Sequence, residues 1–245
     1  MASHFVRWTF IHNSTNIQRI PEKLVENTKN FSERRRERYL AARMLLAELM
    51  LRLYGIPQLP AVITTSSGRS CFADPELPDF SIAYAGNMVG VLLAEENGRA
   101  GLGMEIVRAH SRQTIEHHLQ HLSSAEKAWV NAQHDPIEAI TQLWVIRQSV
   151  TKLTGEAESG NELLQLHPAA GRLRSQMYRD IEAFSDVEPL MVWSCALSPA
   201  VEKLHLWEYQ QHEEWRQLRE IQLKTPARGP FAIRLTSLPY EKKHS

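Results

Sequence analysis

Hydrophobic residues recur at three- and four-residue spacing in the N-terminal part of the chain. They are Leu45, Leu46, Leu49, Met50 and Leu53. This spacing is typical of an amphipathic helix, because residues three and four apart lie on the same helical face. Gly55 and Pro57 follow the run, and both residue types commonly end helices. The pattern predicts a helix that begins in the arginine-rich segment 33–38 and ends before Gly55.

From residue 61 the pattern changes to short extended runs separated by turn residues. The runs cover residues 61–65, 80–84, 88–94 and 101–107. Ala85, Gly86 and Asn87 supply good turn chemistry between the second and third runs, which predicts a β-hairpin there. The first hundred residues are therefore expected to form a helix followed by a β-meander.

The second half repeats this arrangement. Ser123 and Glu126 form a capping-box pattern at the start of a helix. Asp135 and Pro136 open a longer helix that is expected to end at Gly155. Two further strands, 190–196 and 203–208, are predicted to be joined through Ser198 and Pro199.

Two helix-plus-sheet halves of similar order indicate an α+β protein with an internal pseudo-repeat. We predict an N-terminal half at 1–100, a C-terminal half at 101–210 and a polar peripheral tail at 211–245.

Composition and charge exclude several classes of protein. The chain has 28 Lys and Arg against 28 Asp and Glu, so its formal net charge is zero. This balance argues against a general nucleic-acid binder. The sequence has neither a membrane-length apolar run nor a signal-peptide pattern at its start, and it has only two cysteines, so we expect a cytoplasmic protein.

Positive charge is concentrated near the N-terminus. Residues 1–53 hold ten Lys and Arg and five Glu, which leaves a charge of +5. Arginine runs usually form a solvated helix face, but the arginine side chain also suits phosphate. The spacing of His117 and His121 likewise permits either a solvated polar helix or a metal-ligand pair.

Five motifs occur in an order that resembles the 4′-phosphopantetheinyl transferases of the larger, monomeric, surfactin-synthetase-activating type. They are the arginine-rich helix ending at 41–46, the Gly68-Arg69 turn, the strand 80–84, the segment Gly101-Leu-Gly-Met-Glu105 and the helix 144–152. The resemblance implies two pseudo-symmetric halves with coenzyme A bound between them. It further implies Mg²⁺-assisted transfer of 4′-phosphopantetheine from coenzyme A to a serine of an apo acyl or peptidyl carrier protein.

The resemblance also assigns roles to individual residues. Metal binding falls on Glu105 and on Gly103, which stands where the family has Asp. The catalytic positions are Lys152, Gln148 and Arg147, and the cofactor-binding positions are Arg43, Arg69, Tyr84 and Arg36.

Gly103 and Gln148 both replace carboxylates of the family pattern. A second carboxylate beside Glu105 would strengthen Mg²⁺ binding, because Mg²⁺ prefers oxygen ligands. No turn signal at Gly103 calls for glycine, so Gly103→Asp is expected to rebuild the pair. As the chain stands, we expect a transferase with impaired activity, or a weak or inactive relative that binds coenzyme A or a carrier protein as a regulator or scaffold. Chance agreement of the motifs in an unrelated α+β domain is the third alternative.

Overall fold

Two units make up the polypeptide in a computed structural model that describes residues 2–11, 15–155, 164–176, 180–199, 202–210, 214–222 and 233–237. One unit comprises Met1–Arg99 with Val201–Lys224, and the other comprises Ala100–Ala200 with Thr225–Ser245. The strands are β1 (Ser3–Thr9), β2 (Val62–Thr64), β3 (Ser70–Phe72), β4 (Phe80–Ala85), β5 (Met88–Leu93), β6 (Arg99–Ile106), β7 (Leu164–His167), β8 (Arg172–Ser175), β9 (Glu182–Val187), β10 (Met191–Ser198), β11 (Lys203–Gln210), β12 (Glu214–Gln222) and β13 (Ile233–Ser237). The helices are α1 (Glu22–Glu26), α2 (Glu33–Tyr54), α3 (Arg112–His121), α4 (Ser124–Asn131) and α5 (Pro136–Thr154).

The first unit packs helix α2 on a five-stranded sheet of order β12-β11-β1-β5-β4. Strand β1 pairs in parallel with β11 and antiparallel with β5. The predicted apolar face of α2 is buried in the core of this unit, together with Val6 and Trp8 of β1. Gly55 ends α2 with a left-handed φ of 67°, a conformation that glycine adopts without steric cost.

The second unit packs α5 on a six-stranded sheet of order β6-β10-β9-β13-β8-β7. Asp135 caps α5 by accepting a hydrogen bond from the backbone of Glu138, and Gly155 ends it. The capping box of Ser123 and Glu126 is present at the start of α4 with both of its hydrogen bonds. Both predicted helix starts are confirmed, as is the α+β class.

The two units divide the chain differently from the predicted boundaries. Residues 203–208 were expected in the C-terminal half, but β11 joins the sheet of the first unit because β1 offers it a parallel partner. The two strands that were predicted to be joined through Ser198 and Pro199, β10 and β11, lie in different sheets. Within the expected peripheral tail, β12 pairs with β11 and β13 pairs with β9.

No helix among the described residues is both long and apolar enough to cross a bilayer.

Candidate functional site

Residues of α2 and of strand β4 line an open cavity of about 650 Å³ in the first unit. We call it the arginine pocket. Its lining residues are Ser32, Arg34, Arg35, Arg38, Tyr39, Arg43 and Tyr84. Residues four apart share one face of a helix, which explains how α2 brings Arg35, Tyr39 and Arg43 to the same cavity. The pocket therefore combines four cationic side chains with two aromatic rings.

Arg43 lies at the buried end of this set and is 8% exposed. Its guanidinium carbon lies 3.5 Å from the centroid of the Tyr39 ring, and its Nη1 donates to the Tyr84 hydroxyl at 2.6 Å. Among the described residues, no carboxylate lies within ion-pair distance of Arg43. A buried cation without a counter-ion is costly, so this position favours an anionic ligand.

Tyr84 and Arg38 complete the wall beside Arg43. Burial raises the pKa of Tyr84, and the charge of Arg43 only partly opposes that rise. The Tyr84 hydroxyl therefore stays protonated near neutral pH and keeps its own proton to donate. The Arg38 guanidinium carbon lies 5.1 Å from the Tyr84 ring centroid, and the Arg38 Nε is buried without a hydrogen-bond partner in the described part of the chain.

The N-terminus of α2 adds backbone donors to the pocket. Ser32 is the N-cap residue, and its side chain makes no capping hydrogen bond. The first-turn amides of a helix have no intrahelical partner and attract anions. Ser32, Arg34 and Arg35, which line the pocket, lie at this end of α2.

Two of the predicted cofactor-binding arginines do not lie among the described residues that line this pocket. Arg36 Nε donates to Thr28 Oγ1 at 3.1 Å, beside the turn that precedes α2. Arg69 forms an ion pair with Asp79, and both of these side chains are largely buried. Arg43 and Tyr84 are therefore the predicted cofactor residues that the structure brings together.

In the second unit, Glu105 at the end of β6 is held by Gln148 of α5 and by His110. Gln148 Nε2 donates to Glu105 Oε1 at 3.0 Å, and His110 Nε2 lies 3.2 Å from Glu105 Oε2. An ionised carboxylate only accepts hydrogen bonds, so this His110 nitrogen carries the proton. We call these three residues the Glu105 network.

Aromatic rings form one side of the Glu105 network. The Trp144 ring centroid lies 4.4 Å from that of His110 and 3.8 Å from that of His118. Burial lowers the pKa of His118, and nearby histidines, with His117 first among them, lower it further. The His117 and His121 rings contact each other in a tilted arrangement, with centroids 4.4 Å apart.

The predicted catalytic residues of α5 point to different neighbours. Lys152 Nζ donates to the carbonyl of Leu102 in β6 at 2.8 Å. Arg147 instead forms an ion pair with the buried Glu126 and donates to the carbonyl of Leu164 at 3.1 Å. Arg147 thus ties α5 to α4 and β7, whereas Gln148 and Lys152 contact β6.

Gly103 has a packing role that the sequence analysis missed. A Cβ atom at Gly103 would overlap the main-chain carbonyl oxygen of Val145 in α5 and would lie 3.3 Å from Gln148 Cβ. A Cβ atom at Gly101 would overlap the carbonyl oxygen of Ser149 in the same way. Both glycines therefore allow β6 to approach the backbone of α5. The expectation that Gly103→Asp rebuilds a carboxylate pair is wrong, because the added side chain has no space.

The residues present do not fit a protein-held Mg²⁺ ion. Glu105 is the one carboxylate of its network, and both of its oxygens already have partners in Gln148 and His110. No group of three or more His, Cys, Asp or Glu side chains within the described ranges has a geometry that could hold a metal ion.

Sequence comparison adds an independent observation. No model of a protein family matches the chain. The chain is 43% identical over 226 residues to the uncharacterized protein YieE of Escherichia coli strain K12, and the match covers 90% of each chain. The YieE protein of Escherichia coli O6:H1 strain CFT073 gives the same figures. The chain belongs to the YieE family.

This YieE-family chain is also similar to a named transferase over part of its length. It is 29% identical over 124 residues to the 4′-phosphopantetheinyl transferase AcpT of Escherichia coli K12, which covers 49% of the chain and 59% of AcpT. AcpT of Escherichia coli O157:H7 matches over the same lengths. The similarity supports the phosphopantetheinyl transferase resemblance over about half of the chain.

Sequence reasoning about this YieE-family chain missed His110 and most of the arginine pocket. The pocket had a signal, since Arg35 and Tyr39 precede Arg43 at four-residue intervals on one helix. His110 had none, because its contact with Glu105 depends on the turn that follows β6.

Proposed function

We propose that this protein binds coenzyme A and holds the phosphate groups of that ligand in the arginine pocket. The observation that carries the proposal is the buried Arg43 guanidinium, which has no carboxylate counter-ion in the described chain. The partial similarity to AcpT supports coenzyme A over other phosphate compounds.

The chemistry of the ligand suits the pocket. Coenzyme A carries a 3′-phosphate and a pyrophosphate, and arginine binds phosphate through paired, charge-assisted hydrogen bonds. Each such bond contributes about 1.5–3 kcal/mol. Stacking on Tyr39 and the bond to Tyr84 fix the Arg43 guanidinium before the ligand arrives, which reduces the entropy lost on binding.

Calorimetric titration with coenzyme A tests the proposal. Arg43→Ala is expected to weaken binding by at least about tenfold, which corresponds to about 1.4 kcal/mol. Arg112→Ala is the matched control, because it removes the same charge from a side chain that is 93% exposed in the second unit. The native protein should also prefer coenzyme A to pantetheine, which lacks phosphate. Absence of binding by the native protein, or equal binding by Arg43→Ala, would refute the proposal.

Transfer of phosphopantetheine to a carrier protein is the second candidate function. The observation that favours it is that Gln148 and Lys152, at two family positions, both contact β6, where Glu105 lies. In this reaction the carrier serine oxygen attacks the β-phosphate of coenzyme A, adenosine 3′,5′-bisphosphate leaves, and the serine proton must be accepted. Gln148 orients a hydroxyl but does not accept its proton, so we expect slow transfer.

Mass spectrometry of an apo carrier protein distinguishes the two functions. The carrier is incubated with the protein, coenzyme A and Mg²⁺, and a mass increase of one phosphopantetheine group demonstrates transfer. Binding of coenzyme A without that increase supports the alternative function, a regulator or scaffold that binds coenzyme A or the carrier protein.

The basic N-terminal segment supports an acidic protein partner. Residues 1–53 carry a charge of +5, and Arg34, Arg35 and Arg36 are exposed on the first turns of α2. Electrostatic attraction between complementary charges accelerates the approach of an acidic carrier protein, and salt weakens this attraction.

A further inference from the structure

We infer that Gln148 and His110 take the place of a divalent cation at Glu105, so that the protein binds coenzyme A without Mg²⁺. The statement about coenzyme A rests on the proposed function, whereas the statement about the cation stands on the geometry of the second unit alone.

Both carboxylate oxygens of Glu105 take part in hydrogen bonds. Its two carboxylate oxygens have different partners, with Gln148 Nε2 at 3.0 Å from one and His110 Nε2 at 3.2 Å from the other. Both distances are normal for hydrogen bonds. A cation at this carboxylate would have to displace at least one of two donors that the fold already positions.

The Glu105 network offers little negative charge to a cation. Mg²⁺ binds to proteins through one or two carboxylates, often together with substrate phosphates, and it retains several waters, so a protein that holds the ion before a phosphate ligand arrives needs carboxylates of its own. Gln148 offers a neutral amide, and Glu105 supplies the one negative charge of the network. The charge at this point is therefore too small to hold the ion against its hydration.

Strand β6 has no room for another carboxylate beside Glu105. Gly103 faces the same side of β6 as Glu105, but a Cβ atom there would overlap the carbonyl oxygen of Val145. The close packing of β6 on α5 thus fills the space that a second acidic side chain needs. Gln148 is consequently the position at which one substitution adds a carboxylate beside Glu105.

Glu105 has a different role, which is to orient His110. His110 is held at one nitrogen by the carboxylate, and its ring also contacts the tilted Trp144 ring, whose centroid lies 4.4 Å away. A carboxylate that accepts from one imidazole nitrogen fixes the tautomer and leaves the other nitrogen as an acceptor. Glu105 therefore orients His110 rather than a metal ion.

Electron paramagnetic resonance of Mn²⁺, used as a probe for Mg²⁺, tests the cation statement without coenzyme A. The native protein is expected to leave the free-Mn²⁺ signal unchanged. Gln148→Glu is expected to reduce that signal by creating a carboxylate pair, and the further change Glu105→Gln should restore it. Gln58→Glu, an equal charge change at an exposed residue of the first unit, is the control and should leave the signal unchanged.

Three outcomes overturn the inference. The first is Mn²⁺ binding by the native protein that Glu105→Gln abolishes. The second is a folded Gln148→Glu variant, verified by circular dichroism, that binds no Mn²⁺. The third is native coenzyme A affinity that falls more than about tenfold when EDTA replaces Mg²⁺, since we expect a change below about twofold. Failure of coenzyme A to bind under both conditions refutes the proposed function instead and leaves the manganese result standing.

Discussion

Replacement of Gly103 by alanine should destabilise the second unit even though alanine normally suits a strand better than glycine. Gly103 lies within β6, where its lack of a Cβ atom lets the strand contact the carbonyl of Val145. The substitution removes glycine's entropic disadvantage, which is about 0.5–1 kcal/mol. It also places a methyl group where a helix carbonyl already lies.

The packing cost outweighs the entropic gain. A clash with a neighbouring side chain could be relieved by rotation of that side chain, but the carbonyl of Val145 is fixed in the interior of α5. In addition, Val145 Cγ1 lies only 3.1 Å from the added Cβ atom. Overpacking of a well-packed core costs about 1–3 kcal/mol and sometimes more. Separation of β6 from α5 would also disrupt the close approach at Gly101, where the strand backbone lies so near α5 that an added Cβ atom would overlap the carbonyl oxygen of Ser149. We expect Gly103→Ala to lower the free energy of unfolding by about 2 kcal/mol or more.

Urea unfolding followed by tryptophan fluorescence measures this loss, and thermal unfolding should show a midpoint lower by about 4–8 °C. Gly98→Ala is the control, because its Cβ atom would lie 3.1 Å from the nearest backbone oxygen, a contact that a small shift relieves. Gly103→Asp should lose at least as much stability as Gly103→Ala and should not recover it in Mg²⁺. A Gly103→Ala variant as stable as the native protein would refute the packing argument.

Two further predictions concern charge. Replacement of Arg34, Arg35 and Arg36 by glutamine should weaken binding of an acidic carrier protein at low salt and reduce its salt dependence; unchanged affinity in a pull-down or calorimetric titration would contradict this. Burial, with a smaller contribution from the charge of His205, lowers the pKa of His4 from 6.5 to about 4, and Trp207 Nε1 donates to its Nδ1 at 3.1 Å. Because the folded pKa lies below the unfolded value, the contribution of neutral His4 to the free energy of unfolding is complete above pH 6.5. This contribution is lost as the pH falls toward 4, and the loss is about 2 kcal/mol after allowance for solvent screening. Unfolding curves of His4→Phe should lack this part of the pH dependence; identical profiles would contradict the assignment.

The placement of the predicted basic residues shows why a motif position does not fix a contact. Arg69 and Arg147 occupy positions where the family resemblance implies phosphate or catalytic contacts, yet each is paired with a partly or fully buried carboxylate of its own unit. Arg43 instead contacts the Tyr39 ring and the Tyr84 hydroxyl, and no carboxylate in the described part of the chain pairs with it. The residue type makes all three cationic, but only the fold determined which of them pairs with a carboxylate.

The sequence by itself determined the local elements of this protein. Asp135 caps the start of α5, Gly155 caps its end, and the capping box starts α4, because capping depends on residues a few positions apart. The apolar periodicity of α2 likewise predicts the helix from local spacing, although the fold buries every residue from Leu40 to Met50 rather than one face.

Only the tertiary structure decided the contacts between distant segments. The parallel pairing of β1 with β11 joins Ser3 to Leu204, and no local pattern encodes such a register. The same holds for the approach of β6 to α5 at Gly103 and for the hydrogen bonds that Gln148 and His110 make to Glu105. Local spacing sets the direction of each side chain on its own helix or strand. The atoms that the side chain contacts are determined only when helices and strands pack against one another and exclude water.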